Sequence, residues 1–361
     1  MQIFCYFVEP ASYTVNLISA IHKKLNINYI FFQENQSVSV SLRAASNPIL
    51  KDLKIFKRFK FIFNTLYRNE LIIINGYSNY VFFALFFLNL FFFRKRSIAI
   101  ESDTPLSIPS NPLKRIFKKI LLQFIFRKRW IFGLPGGSLS HKSNFSYYKM
   151  EDSRIFLLPM VVDHTKYNLI KTIDSKIFNL LYVGRLVSEK NILFLTRSFN
   201  TWAIDKENVR LSIVGDGPLI DKLRSINTLN KIDFYGKVPH EQISEFLALA
   251  DVLVLPSKYE PWGLVVNEAM ASSTPVIVSS KVGASEDLVK NKNTGLIFDT
   301  NDFEGLLKCF DKFYYNKELR LQYGKNASNL ISNFWNYSLY EENLTSFINY
   351  LKINEKPKKS R

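Results

Sequence analysis

The sequence predicts an α/β protein of two domains, each a parallel sheet with helices on its faces. Three observations point there. The chain has 361 residues, too many for one ordinary core and suited to two α/β domains. Short apolar runs alternate with helical stretches along most of its length. A polar stretch, HTKYNLIKTIDSKI, then separates one such series from a second, which places the boundary near residues 165–175.

In the first series the strand candidates are QIFCYFV, INYIFF, LIIIN, SIAIES and WIFGLP. Helix-like segments lie between them at Ser12 to Lys24, Tyr80 to Phe93 and Pro112 to Arg129. In the second series the strands are FNLLYVG, LSIVG, IDFYG, DVLVLPS and TPVIVSS. No internal repeat of short fixed period is visible. The tail KINEKPKKSR is polar and basic, and is expected to fray.

Hydrophobic residues make up 47% of the chain and charged residues 22%, which excludes a disordered or fibrous protein. Cys5 and Cys309 stand at opposite ends of the sequence. They form neither a disulfide framework nor a metal-ligand cluster, and so suit a reducing compartment. Met1 to Tyr6 is apolar without a basic leader and reads as a buried first strand, so a cytoplasmic protein is expected.

The net charge of +17 is unevenly spread. Residues 1–170 carry 23 Lys and Arg against 9 Asp and Glu, a net of +14; the rest carry 25 against 22, a net of +3. One domain therefore faces something anionic. Charge alone leaves anionic lipid, a phosphate-bearing acceptor and nucleic acid open. The run VFFALFFLNLFFF, Val81 to Phe93, is shorter than the roughly 20 residues that span a bilayer. It reads as a buried helix, or as an interfacial or re-entrant segment. In PLKRIFKKILLQFIFRKRW, residues Leu113, Ile116, Phe117, Ile120, Leu121 and Phe124 repeat at helical spacing while Lys114, Arg115, Lys118 and Lys119 gather on another face. Such a helix can lie in an anionic membrane interface, or be a surface helix with a solvated basic face.

Chemistry concentrates in the second half, at strand ends, where open α/β sheets bind ligands. In YVGRLVSEK, Arg185 and Lys190 follow Gly184 and precede a helix near Asn191, an arrangement suited to a diphosphate. In VGDGPL, Gly215 and Gly217 permit a tight turn with close backbone approach, and Pro218 fits a first helical turn; a plain strand-to-helix turn explains them equally well. In FYGKVP, Gly236 to Val238 could meet a flat ring such as a nucleobase. In PSKYEPWGLVVNEAMA, Glu260 lies in a loop, Gly263 frees the backbone, and a helix begins around Leu264 with Glu268 one turn in. Its first amides can bind an anion while both carboxylates reach one ligand. Two ordinary surface glutamates would also fit that spacing.

These residues resemble the C-terminal domain of family 4 glycosyltransferases, group 1 glycosyl transferases of surface-polysaccharide type. YVGRLVSEKNI, VGDGPL, FYGKVP, LADVLVLPSKYEPWGLVVNEAMA, PVIVS, VGASEDLV and NTGLIF occur in the family's order over roughly residues 178–300. The resemblance implies a GT-B architecture: two facing Rossmann-like domains with a C-terminal helix crossing back to the first. It implies an acceptor-binding domain over 1–168, a nucleotide-sugar-binding domain over 169–332, and a return helix and basic tail over 333–361. It implies a retaining transfer from a nucleotide sugar to a saccharide or lipid-linked acceptor, with no metal or other cofactor required. Arg185 and Lys190 would bind the donor diphosphate and stabilise the leaving group. Glu260 would contact the donor sugar, and Glu268 the ribose hydroxyls. Amides near Gly263 and Leu264 would touch phosphate or sugar oxygens, with Gly215 and Val238 lining the nucleotide.

The first half departs from the family. Many members have a Gly-rich loop after the first strand; here stands Glu9-Pro10-Ala11-Ser12-Tyr13-Thr14. Many place a histidine after the strand that here is Ser97 to Ile100; this chain has Glu101-Ser102-Asp103, so Glu101 or Asp103 is expected in its stead, with His141 and His164 as the other nearby candidates. Ser273 occupies a turn where Gly is usual. Three other functions compete: a same-fold nucleotide-sugar epimerase, a non-catalytic sugar-nucleotide or membrane-binding paralogue, and a nucleic-acid-binding protein. The first usually needs more histidine, the second would be expected to lose the Arg185, Lys190, Glu260 and Glu268 set, and no recognition module supports the third.

Overall fold

The computed structural model describes residues 1–34, 49–92, 96–167 and 176–354. Residues 168–175 of the polar stretch, where the boundary is expected near 165–175, and the last residues of the basic tail lie outside these. The chain divides into two compact units, residues 1–160 with 337–361, and residues 161–336.

In the first unit, β1 (Ile3–Phe7), β2 (Asn28–Phe31), β3 (Leu71–Asn75), β4 (Ser97–Ser102) and β5 (Ile131–Pro135) form one sheet in the order β2-β1-β3-β4-β5. Every pairing is parallel. All-parallel strands are covered on both faces, which is why LIIIN and SIAIES read as continuous apolar runs. The helices are α1 (Ser12–Leu17, continued by a π turn to His22), α2 (Ile55–Arg68), α3 (Tyr80–Phe91), α4 (Pro112–Phe126) and α5 (Lys142–Tyr147).

Right-handed crossovers sort these helices. The steps from β2 to β3, β3 to β4 and β4 to β5 all run the same way across the sheet, so α2, α3 and α4 share one face; α1 belongs to a step in the other direction. The aromatic contacts agree. Phe61 of α2 meets Phe4 of β1 at 5.8 Å between ring centres, and Phe86 of α3 meets Phe124 of α4 at 5.9 Å and Trp130 at 5.1 Å. α3 is thus half-buried, with Val81, Phe82, Leu85 and Phe86 turned to the core. No described helix is long and apolar enough to cross a membrane.

In the second unit, β6 (Phe178–Val183), β7 (Val209–Val214), β8 (Ile232–Gly236), β9 (Val252–Leu255), β10 (Val276–Ser279) and β11 (Gly295–Phe298) form a parallel sheet in the order β11-β10-β9-β6-β7-β8. The helices are α6 (Ile192–Trp202), α7 (Ile220–Ser225), α8 (Ile243–Leu249), α9 (Leu264–Ala271), α10 (Phe303–Tyr314) and α11 (Lys317–Asn333). The sheet grows from β6 through β7 to β8, then resumes on the far side of β6 with β9. That reversal, between β6 and β9, is the topological switch point. β11 is a sixth strand that apolar alternation did not single out. Pro218 precedes α7 instead of sitting in its first turn, because the helix begins two residues later.

The last helix, α12 (Tyr337–Asn354), belongs to the first unit. There Tyr340 lies against His22, with His22 Nε2 and the Tyr340 hydroxyl 3.3 Å apart, and Phe347 packs on Phe132 and Phe156. The preceding Trp335 stays in the second unit, stacked on Trp262 at 5.6 Å. The first unit also ends at Met160, earlier than the expected 168, because Tyr167 and its turn (His164–Tyr167) pack with α9. Ser273, at the turn where the resemblance led glycine to be expected, has φ +56°, in the left-handed region.

Phe86 is fully buried among other aromatic rings. Phe86→Ala is expected to lower unfolding free energy by about 3–5 kcal/mol, measured by urea denaturation.

Candidate active site

Two loops flank the switch point of the second sheet. The first follows β6. The buried Tyr182 hydroxyl donates to the Arg185 carbonyl at 2.9 Å, and the Leu186 amide donates to the Asp216 carbonyl at 2.9 Å. A single 3-10 turn, Ser188–Lys190, then leads to Asn191, whose φ of +57° swings the chain into α6. Arg185 is exposed, whereas Lys190 is half-buried.

The second loop follows β9. Glu260 is pinned by its backbone: its amide donates to the Lys281 carbonyl at 3.2 Å, and its carbonyl accepts from Gly283 at 3.0 Å. Trp262 anchors the next turn, its indole N–H donating to Asn267 Oδ1 at 2.8 Å in the core. Gly263, at φ +92°, then turns the chain into α9, which no side chain caps. The loops are joined twice. The Lys258 amide donates to the Glu189 carbonyl at 2.8 Å, and Lys190 Nζ donates to Glu260 Oε2 as an ion pair with both side chains largely shielded.

Glu268 is not a surface glutamate. It is buried on α9, with His240 Nε2 3.7 Å from its Oε1. Burial pushes its carboxyl above the usual range, opposed by His240 and by a hydrogen bond from Tyr167. The Tyr167 hydroxyl also lies 3.1 Å from His240 Nε2. Tyr167 and His240 escaped the sequence reading. One lies at the unit boundary and the other in the 3-10 turn after β8, and the only signal was the Pro239 that starts that turn.

Gly215 has a structural reason to be glycine. Its φ is +144°, and a Cβ would stand 1.9 Å from the Gly184 carbonyl oxygen, so the loops after β6 and β7 touch backbone to backbone. Its amide donates to the Gly236 carbonyl at 2.8 Å, and Val238 follows, half-buried, two residues before His240. Arg185, Lys190, Gly215, Val238, Glu260 and Gly263 therefore all lie in segments that follow strands of one sheet, with Leu264 and Glu268 on the helix after β9.

Asp103 belongs to the first unit. There the ends of β3 and β4 gather acids in a buried setting. Asn75 Nδ2 donates to Glu101 Oε2 at 2.7 Å, and burial, with the charge of Asp103, raises the Glu101 carboxyl to about 7. Burial also raises Asp103, opposed by His141. His141 is wholly buried rather than a surface loop residue, because it starts α5 beneath Gly136 and Met160. His164 lies half-buried in the second unit. Among the described residues no group of three or more His, Cys, Asp or Glu is placed to hold a metal ion.

Two parallel-sheet units with helices on their faces, and a last helix that belongs to the first unit, are the architecture of a GT-B fold, and solved structures agree. The UDP complex of Anabaena HepE superposes with a TM-score of 0.77 at 17% identity, over 97% of this chain and 100% of that one. Residues 165–330, which hold all four charged candidates of the second unit, match the family described as Glycosyl transferases group 1. The capsular polysaccharide biosynthesis glycosyltransferase CapM of Staphylococcus aureus is 29% identical over 268 residues, 72% of this chain and 65% of CapM. An uncharacterized glycosyltransferase of Methanocaldococcus jannaschii is 37% identical over 121 residues, 32% of this chain. The chain spans only 30% of that relative and 31% of a matching Mycobacterium tuberculosis glycogen synthase.

A carboxyl raised by folding contributes stability that is present below its unfolded value, 4.5, and is lost as pH rises through about 7. Relative to wild type, Glu101→Gln should therefore gain stability between pH 4.5 and 8, by up to about 3 kcal/mol. Parallel urea titrations of the two proteins across that range measure it.

Proposed function

We propose that this protein is a retaining glycosyltransferase, moving a sugar from a nucleotide-sugar donor to a saccharide or lipid-linked acceptor in bacterial surface polysaccharide or lipopolysaccharide synthesis. It would work in the cytoplasm, peripherally on the inner face of the plasma membrane. One observation supports the reading: Lys190 after β6 pairs with Glu260 after β9 across the switch point of the second sheet, beside a helix start that no side chain caps. The Lys190 and Glu260 pairing favours it over two independent surface charges.

In this reading Glu268 accepts the ribose hydroxyls, with His240 and Tyr167 holding it. The amides at Gly263 and Leu264 meet phosphate or donor-sugar oxygens, and Gly215 and Val238 border the base. Arg185 and Lys190 neutralise charge that grows on the departing diphosphate, which is stabilisation where charge develops. A diphosphate would compete with Glu260 for Lys190, freeing the carboxylate to hold donor-sugar hydroxyls. Positioning supplies the rest, and no metal is needed. Asp103 and Glu101 are the acids of the first unit assigned to the acceptor side.

The discriminating measurement is calorimetric titration with a panel of nucleotide sugars, followed by transfer to lipid-linked saccharides. One donor should bind, and Glu268→Ala should weaken it by about tenfold or more, the scale of a lost hydrogen bond to a charged group. Lys190→Ala should lower turnover by about 100-fold or more, as loss of one charge-stabilising donor does. No binding of any donor would overturn the reading. Binding without transfer would favour the non-catalytic paralogue, and a changed sugar without an acceptor the epimerase.

A further inference from the structure

The helix layer α2, α3 and α4 is apolar on its outer side as well as its inner one. α2 buries Ile62, Thr65 and Leu66. Its first six residues include no buried one, and Phe56, Phe59 and Phe63 make an exposed stripe along it, Phe56 being 86% exposed. α4 repeats the arrangement. Nothing is buried before Leu122, and Leu113, Ile116 and Phe117 stand exposed, Leu113 at 78%. Between them, α3 exposes Phe87 and Phe91. Exposed single apolar residues are common, but a contiguous face of aromatic and aliphatic side chains marks an interaction surface.

The charges on this face are of one sign. α2 and α4 hold eight Lys and Arg and no Asp or Glu, and α3 holds no charged residue. Lys57, Lys60, Lys114, Arg115 and Lys119 are exposed beside the apolar stripes. A helix with large apolar side chains on one side and flanking cations lies in the plane of a membrane, inserting the former and binding headgroups with the latter. Cations near an anionic leaflet each add attraction. A second copy of the chain does not fit, because an isologous contact would set this acid-free basic face against itself.

We propose that the outer face of α2, α3 and α4 is a docking surface for an anionic phospholipid bilayer, with Phe56, Phe59 and Phe117 entering the headgroup region and Lys57, Lys60 and Lys119 binding lipid phosphates. This deepens the lipid-linked-acceptor reading by placing the membrane contact on three helices of the first unit. The measurement does not depend on that reading, since it uses neither donor nor acceptor.

The test is flotation of the full chain with vesicles of phosphatidylcholine alone and of phosphatidylcholine mixed with phosphatidylglycerol. The protein should float with the mixed vesicles, and less with raised salt. The triple variant Phe56→Ser, Phe59→Ser, Phe117→Ser should bind about tenfold or more weakly, given the apolar area withdrawn from the interface. Because all three side chains are exposed, its thermal midpoint should hold, and the variant Lys57→Glu, Lys60→Glu, Lys119→Glu supplies a second check by losing only the preference for anionic lipid. Absence of binding to mixed vesicles overturns the proposal. So does unchanged binding of a folded triple variant, or a dimer in sedimentation that the triple variant dissolves while vesicles stay unbound. Failure here leaves donor binding at Glu268 untouched.

Discussion

The ion pair between Lys190 and Glu260 is the constraint on which the second unit's site depends. Its partners come from opposite sides of the switch point, one after β6 and one after β9. Two charges held largely out of water stay together only where their backbones are fixed, because a displaced partner leaves an uncompensated charge behind. The fixing is visible. Glu260 is bonded on both sides to the 281–283 segment, and the Lys258 amide ties its loop to that of Glu189. Trp262 locks the next turn by its bond to Asn267 and its stacking on Trp335.

Glu268 is held by a different means. It is buried on a regular helix, and its carboxyl is kept from rising further by an imidazole and a phenol that come from distant parts of the chain. The first unit also buries an acid, Glu101, at a strand end. There Glu101 rises to about 7, supported mainly by the amide of Asn75. One unit thus presents carboxylates beside cations, suited to hydroxyl and phosphate binding. The other presents a carboxyl close to neutrality, a state suited to proton exchange.

The aromatic excess of the chain has two uses. Phe82, Phe86, Phe126 and Phe145 fill the first core as interlocking rings. Phe56, Phe59 and Phe117 stand exposed, on helices whose inner sides already supply Ile62, Leu66, Leu122 and Ile125. The uneven charge follows the same division, since the cations of α2 and α4 border the exposed rings.

The sequence by itself determined the two parallel sheets and which charged residues follow their strands. Parallel strands are short continuous apolar runs, and the loops after them hold glycines and charges at fixed spacing, both local properties. β11 was missed because GLIF is short and only partly buried. α2 was not among the helices singled out, and its exposed stripe has the same helical period as a core face. Only tertiary structure decided that Lys190 meets Glu260 across the switch point, that Tyr167 and His240 hold Glu268, and that His141 is buried beside Asp103. Each joins residues far apart in the chain, and periodicity and spacing report only on neighbours. Burial, and the proton affinities it sets, exist only once the layers have closed.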